Sequence, residues 1–281
     1  MSRWLHRAAS ASGVATLARG VFARRGVFVL ELHGIARRRY EEVPAAIQPS
    51  FTAADLERTL AWLARRFAFL TPDQALAAGA RGVLLTFDDG FANNVDQALP
   101  LLEKFGAPAI FFVTLQHVED PEAWLPSIRR GLPEGFRSWP REVARDLFQG
   151  MSPEQLRICA RHPLVTLGSH TMSHPRLSSC TREDLCREVQ GSRQRLQELS
   201  GTAVDFFAYP YGDYDRRVAE AVREAAYRAA FVEDPRRLGL PELEIPRVGL
   251  YSSDAAYLAL KLSGLHRRPW KGLTPYGRPR A

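Results

Sequence analysis

The chain has 281 residues, 46% of them apolar and 10% aromatic, which is enough to bury the core of one large or two small domains and excludes a chain disordered overall. Its 38 Lys and Arg against 31 Asp and Glu leave a net charge of +7, which either reflects an ordinary solvated surface or suits contact with a membrane surface or an anionic glycan; the basic residues are scattered among acidic ones without an aromatic platform, which argues against a nucleic-acid partner. Three cysteines, Cys159, Cys180 and Cys186, have no metal-like spacing and leave an odd thiol, which argues against a disulfide framework and for a reducing compartment.

Residues 1–24 read as a basic N-terminal segment. The uncharged run from Ala8 to Ala18 is built mostly of Ala, Ser, Gly and Thr and is followed by Arg19, Arg24 and Arg25, so an export signal is the weaker reading. No apolar run approaches the roughly twenty residues of a membrane span. The expected location is the cytoplasm or a membrane surface.

Val27 to Gly34 is the first strand and ends at a titratable residue, His33. Arg37 to Pro49 reads as a loop. Thr52-Ala53-Ala54-Asp55 caps a helix running to about Phe67, with Leu56, Leu60, Leu63 and Phe67 at helical spacing. Thr71-Pro72-Asp73 opens a short helix before Val83-Leu84-Leu85-Thr86-Phe87, a buried strand broken by Asp88-Asp89-Gly90. Two carboxylates at the end of a core strand are costly unless a cation or hydrogen bonds compensate them, so this is either a metal site or an ordinary turn. Asn93 to Phe105 is helical and Ala109 to Val113 is a fully apolar strand; this alternation argues for parallel strands with helices outside.

Residues 117–151 break the rhythm with four prolines and with Trp124 and Trp139, which either contact a ligand or pack a small core belonging to the insertion. Ser152-Pro153-Glu154-Gln155 reads as a helix N-terminus. The strand Val165 to Gly168 then leads into Ser169-His170-Thr171-Met172-Ser173-His174-Pro175. No Glu follows His170, and Pro175 disfavours helical backbone at His174, so both histidines belong on a loop. By itself such a pair is commonly incidental. Combined with Asp89 it makes a two-His-one-carboxylate set with coordination positions left open, a catalytic rather than a structural pattern.

Thr181 to Ser200 is a helix closed by Gly201, Phe206 to Ala208 a strand, and Arg216 to Ala226 a helix; Phe231-Val232 and Leu243 to Leu250 complete the sheet. Arg247 lies within that last apolar run and either pairs with Asp88 or reaches solvent at a strand edge. Residues 256–281, with His266 and Trp270, read as a basic peripheral tail.

Thr86-Phe87-Asp88-Asp89-Gly90, Ser169-His170-Thr171-Met172-Ser173-His174-Pro175 and Phe207-Ala208-Tyr209-Pro210-Tyr211-Gly212 resemble, in order, three motifs of the polysaccharide deacetylases, the NodB-homology carbohydrate esterases. The third motif departs from the usual form, with an Ala-Tyr pair where an Arg-Pro pair stands, and Arg247 is the candidate replacement for that Arg. The resemblance covers about residues 25 to 250 and implies a distorted (β/α) barrel of about seven parallel strands, with a catalytic domain over 25–255. Convergence of the strand ends at one mouth would gather His33, Asp88, Asp89, His170, His174 and Tyr211.

The activity implied is metal-dependent removal of N-acetyl groups from N-acetylhexosamine in a glycan or glycan precursor. Asp89, His170 and His174 would hold a divalent metal, zinc ahead of cobalt, nickel and manganese, which activates water; Asp88 is the base, and the Tyr211 backbone amide faces the oxyanion. The acid is assigned to His33 because the resemblance is to circularly permuted bacterial exopolysaccharide N-deacetylases, which carry that His on a first strand. Two alternatives remain open: a non-catalytic glycan-binding relative, and a hydrolase of O-acetyl esters or another C–N amide bond.

Overall fold

The computed structural model describes residues 26–124 and 140–263, so the N-terminal segment, Trp139, His266 and Trp270 lie outside the described residues. The strands, in chain order, are β1 (Val27–Leu32), β2 (Ile35–Ala36), β3 (Phe51–Thr52), β4 (Gly82–Phe87), β5 (Ala109–Val113), β6 (Val165–Ser169), β7 (Phe206–Ala208), β8 (Ala229–Val232) and β9 (Ile245–Gly249). β1, β4, β5, β6, β7, β8 and β9 pair in parallel in that order, and β9 returns to β1 with Val29 opposite Arg247, closing a barrel of seven strands. β2 and β3 form a separate parallel pair.

The apolar runs of the sequence become strands buried on both faces. Alternate residues Val27, Val29, Leu84, Ile110, Phe112, Phe206, Ala208, Ala229, Phe231 and Ile245 fill the barrel interior. Their neighbours Phe28, Leu30, Val83, Leu85, Phe87 and Phe111 pack outward against Leu56, Leu60, Leu63 and Leu102 of the surrounding helices. Phe112 occupies so much of the interior that a Cβ at Gly168 would lie 2.6 Å from its ring, which is why a glycine stands in the middle of β6.

Helix starts follow their caps. Thr52 with Asp55, Thr71 with Gln74 and Ser152 with Gln155 each form a reciprocal capping box. The first of these helices spans Ala53–Ala64, three residues short of the expected Phe67, because the chain turns at Arg65 to bring Phe67 against Phe28, their rings 6.0 Å apart. The expected continuous helices over 93–105 and 181–200 each contain a π turn, at Asn94–Ala98 and Arg187–Gly191, which hydrophobic periodicity does not reveal. The helix Ala255–Lys261 begins where the sequence reading ends the domain, and it buries Leu258 and Ala259.

The insertion does carry a small core. Val143, Ala144, Leu147 and Phe148 of the helix Arg141–Phe148 pack on Ala36, Tyr40 and Val43, so the loop after β2 and the insertion cover each other.

Candidate active site

β4 ends at Phe87, and the chain turns sharply with Asp89 (φ 74) and Gly90 (φ 72) both left-handed. A side chain at Gly90 would press on Val113, and Asp tolerates the left-handed region, so Asp-Gly meets both demands. The turn aims Asp88 back over the barrel interior and Asp89 across the mouth. Both are buried, at 2% and 7% exposure.

Arg247 of β9 meets Asp88 with two parallel bonds, NH1 to Oδ1 at 2.6 Å and NH2 to Oδ2 at 2.7 Å, and NH1 also lies 3.3 Å from Thr86 Oγ1. Its side chain is 3% exposed, so it does not reach solvent at a strand edge. Burial alone would raise the Asp88 pKa; the Arg247 guanidinium overrides it and holds the carboxyl well below the usual carboxylate range.

β6 delivers the two histidines. His170 donates from Nδ1 to the Ala208 carbonyl at 2.8 Å, a contact that orients the ring and leaves Nε2 facing the site. That Nε2 lies 3.7 Å from Asp89 Oδ1, and His174 Nε2 lies 3.4 Å from the same oxygen. Burial, then the neighbouring His170, pushes the His174 pKa down to about 2, so it is a neutral imidazole at working pH. Burial raises the pKa of Asp89, and its Oδ1 is buried without a hydrogen-bond partner. One ligand atom from each of Asp89, His170 and His174 lies within 4.8 Å of the others. An unsatisfied buried carboxylate oxygen faced by the Nε2 atoms of two imidazoles is a donor set that fits a divalent cation.

A second group, Glu31, His33 and Asp88, is equally close. There the Arg247 guanidinium already occupies both oxygens of Asp88, and its charge disfavours a cation. His33 follows β1 and is 44% exposed, with Nε2 3.9 Å from Glu31 Oε1. The protein packed around the ring opposes protonation of His33 although the side chain is part-exposed, but the charges of Asp89, Asp88 and Glu31 outweigh it and raise its pKa. Glu31 was not among the expected site residues. It lies 2% exposed with Oε2 3.3 Å from Arg247 Nε, and burial, partly offset by Arg247, raises its pKa. The available signal was parity: Val27, Val29 and Glu31 alternate along one strand, so a carboxylate falls on the interior face just before His33.

Tyr211 adopts left-handed backbone (φ 58, ψ 12) in the turn after β7, with its ring 4.6 Å from that of His174 and Arg176 over it at 4.8 Å. Its side chain is 57% exposed. Trp124 packs behind the site rather than standing clear of it, with ring centroids 4.1 Å from His117, 5.3 Å from His174 and 5.9 Å from Phe91. His117, also unanticipated, is buried, with its pKa lowered by burial to about 3, and its Nδ1 lies 3.4 Å from the Asp89 carbonyl. Beside His33 opens a cavity of about 230 Å³ walled by Ile47, Phe91, Leu147, Phe148 and Tyr251.

The polysaccharide deacetylase family model matches residues 76–230, a stretch that holds Asp88, Asp89, His170, His174 and Tyr211. The chain belongs to the polysaccharide deacetylase family. It is 30% identical over 170 residues to a chitooligosaccharide deacetylase of Sinorhizobium fredii, covering 59% of this chain and 64% of that one. The Streptococcus pyogenes deacetylase PplD, solved in complex with acetate, superposes with a TM-score of 0.65 at 18% identity, over 83% of this chain and 96% of that chain. IcaB from Ammonifex degensii gives 0.63 at 22% identity, over 85% and 97%. At such identities the two structures establish the barrel alone. The chain spans 54% of the length of one curated relative that it matches and 64% of another.

Proposed function

We propose that this polysaccharide deacetylase is a metal-dependent hydrolase that removes N-acetyl groups from N-acetylhexosamine in a glycan or glycan precursor. The observation that carries the reading is the convergence of three groups at one barrel mouth: the Asp88–Arg247 pair, the Asp89–His170–His174 set, and His33. Asp89, His170 and His174 hold the cation, zinc ahead of cobalt, nickel or manganese. When bound, it supplies Lewis acidity toward the acetyl carbonyl and toward water.

The chain's own groups do the rest. Asp88, kept ionised and oriented by Arg247, takes a proton from the attacking water as oxygen adds to the acetyl carbon. The Tyr211 backbone N–H donates to the oxyanion that forms. His33, its pKa raised, gives a proton to nitrogen as the C–N bond breaks, releasing acetate and a free amine. The cavity beside His33 lies on the side from which the amine departs and has aromatic walls, which supports it as the place of the amino sugar. We place the enzyme in the cytoplasm or at its membrane surface, a location that fits the free thiols of Cys159, Cys180 and Cys186 and the basic net charge.

The test is acetate release from N-acetyl and from O-acetyl oligosaccharides by the zinc-loaded protein, the chelated protein and Asp88→Asn. Release from the N-acetyl substrate that needs metal and Asp88 is the expected result. Release confined to the O-acetyl substrate would reassign the enzyme as an esterase, and no release from either would favour the glycan-binding alternative.

A further inference from the structure

The loop bearing His170 and His174 contains no glycine, yet its backbone is left-handed at Thr171 (φ 72) and His174 (φ 61), a region that residues with a Cβ avoid. A loop held there needs outside support. The support comes from the helical segment over 182–200, at its π turn Arg187–Gly191.

Glu188 on that turn is 3% exposed. Its Oε2 accepts from the backbone amides of Met172 at 3.0 Å and Ser173 at 2.9 Å, and its Oε1 accepts from the Ser173 hydroxyl at 2.7 Å. Among the described residues this buried carboxylate is compensated by hydrogen bonds from the histidine loop and by no ion pair. Four residues on, Ser192 Oγ lies 2.8 Å from Ser169 Oγ, which accepts from the Thr171 amide at 3.2 Å; Thr171 Oγ1 in turn accepts from the His174 amide at 2.9 Å. Every amide from Thr171 to His174 is thereby tied, two by Glu188 directly and two through hydroxyls. A π turn is an infrequent irregularity that recurs where a helix must present side chains to a functional site.

We propose that Glu188 is a positioning residue: by accepting three hydrogen bonds from Met172 and Ser173 it holds the loop so that the Nε2 atoms of His170 and His174 face Asp89. The inference rests on the metal-site reading given above. It concerns geometry rather than charge. A glutamine can satisfy the same donors, because its Oε1 takes the two amides while its NH₂ donates to a Ser173 hydroxyl whose own proton turns away.

The test is zinc titration of the purified full chain as wild type, Glu188→Ala and Glu188→Gln, with melting temperatures of the zinc-free proteins and the visible spectra of the cobalt-loaded ones. The expected results are zinc binding weakened roughly 10- to 100-fold by Glu188→Ala with an altered cobalt spectrum, and restored to within about threefold by Glu188→Gln. A Glu188→Ala protein that melts earlier but keeps wild-type zinc affinity and cobalt spectrum overturns the inference, as does a Glu188→Gln protein no tighter than the Ala variant. Should Glu188→Ala not fold, Ser173→Ala removes one of the three bonds and carries the test: a loss of about 3- to 10-fold is expected, and unchanged affinity overturns the proposal. A wild type that takes up no zinc overturns the metal-site reading and this inference together, whereas tight wild-type binding matched by the Ala variants overturns the inference alone.

Discussion

Replacing Arg247 with Met keeps a side chain of similar length beside the Phe112 ring, over which the guanidinium now lies at 5.7 Å, and removes the guanidinium that stands between two carboxylates. Arg247 meets Asp88 at 2.6 and 2.7 Å and Glu31 at 3.3 Å, and all three residues are within a few per cent of full burial. Breaking a buried pair by deleting one partner costs about 3–5 kcal/mol, and a unit-charge pair near 4 Å at an effective dielectric of about 20 gives about 4 kcal/mol, so two independent routes agree. At roughly 2–4 °C per kcal/mol for a domain of this size, the melting temperature should fall by roughly 6–20 °C.

The pH dependence has a definite sign. Burial already raises Glu31, with Arg247 working against it, and losing Arg247 raises it further. A carboxyl whose folded pKa lies above its unfolded value of about 4.3 destabilises the fold progressively as pH climbs from the unfolded toward the folded value. The deficit of Arg247→Met should therefore be smallest near pH 4 and largest at neutral pH. Urea unfolding followed by circular dichroism at several pH values, with chelator throughout, measures it. A deficit under about 1 kcal/mol at pH 7.5, or one that grows on acidification, would refute the buried ion-pair reasoning.

The remaining expectations concern turnover. His33→Ala should lower kcat by about 10²- to 10⁴-fold on an N-acetyl substrate while zinc content stays at the wild-type level; loss of zinc in that variant would make His33 a ligand rather than an acid. Glu31→Gln removes one of the three charges that raise the His33 pKa, so His33 should lose its proton at lower pH. The alkaline limb of the kcat/KM profile should accordingly move toward acid, and an unmoved limb would detach Glu31 from His33.

How far the site was legible depended on how its residues announce themselves. Asp88, Asp89, His170 and His174 interrupt apolar runs, and charge at the end of a buried strand is conspicuous in one dimension. Arg247 was visible only as a charge in an apolar run; its partner stands 159 residues earlier, and only the closure of β9 onto β1 brings them together. Glu31 looked like a polar position within a strand, and Glu188 like any acidic residue on a helix of low hydrophobicity. Glu31 interrupts an apolar strand as Arg247 does, though nothing local names its partner, whereas Glu188 breaks no pattern at all.

The sequence by itself determined the order of the seven barrel strands, the capping boxes at Thr52, Thr71 and Ser152, and the chemical identity of the carboxylates and imidazoles, because these follow from contacts within a few residues of one another. The tertiary structure alone decided which carboxylate Arg247 neutralises, which nitrogen of His170 faces the site, and where the π turn at Arg187–Gly191 meets the histidine loop. Those are choices among partners that only barrel closure brings within bonding distance. A buried charge takes whichever compensating group the fold supplies.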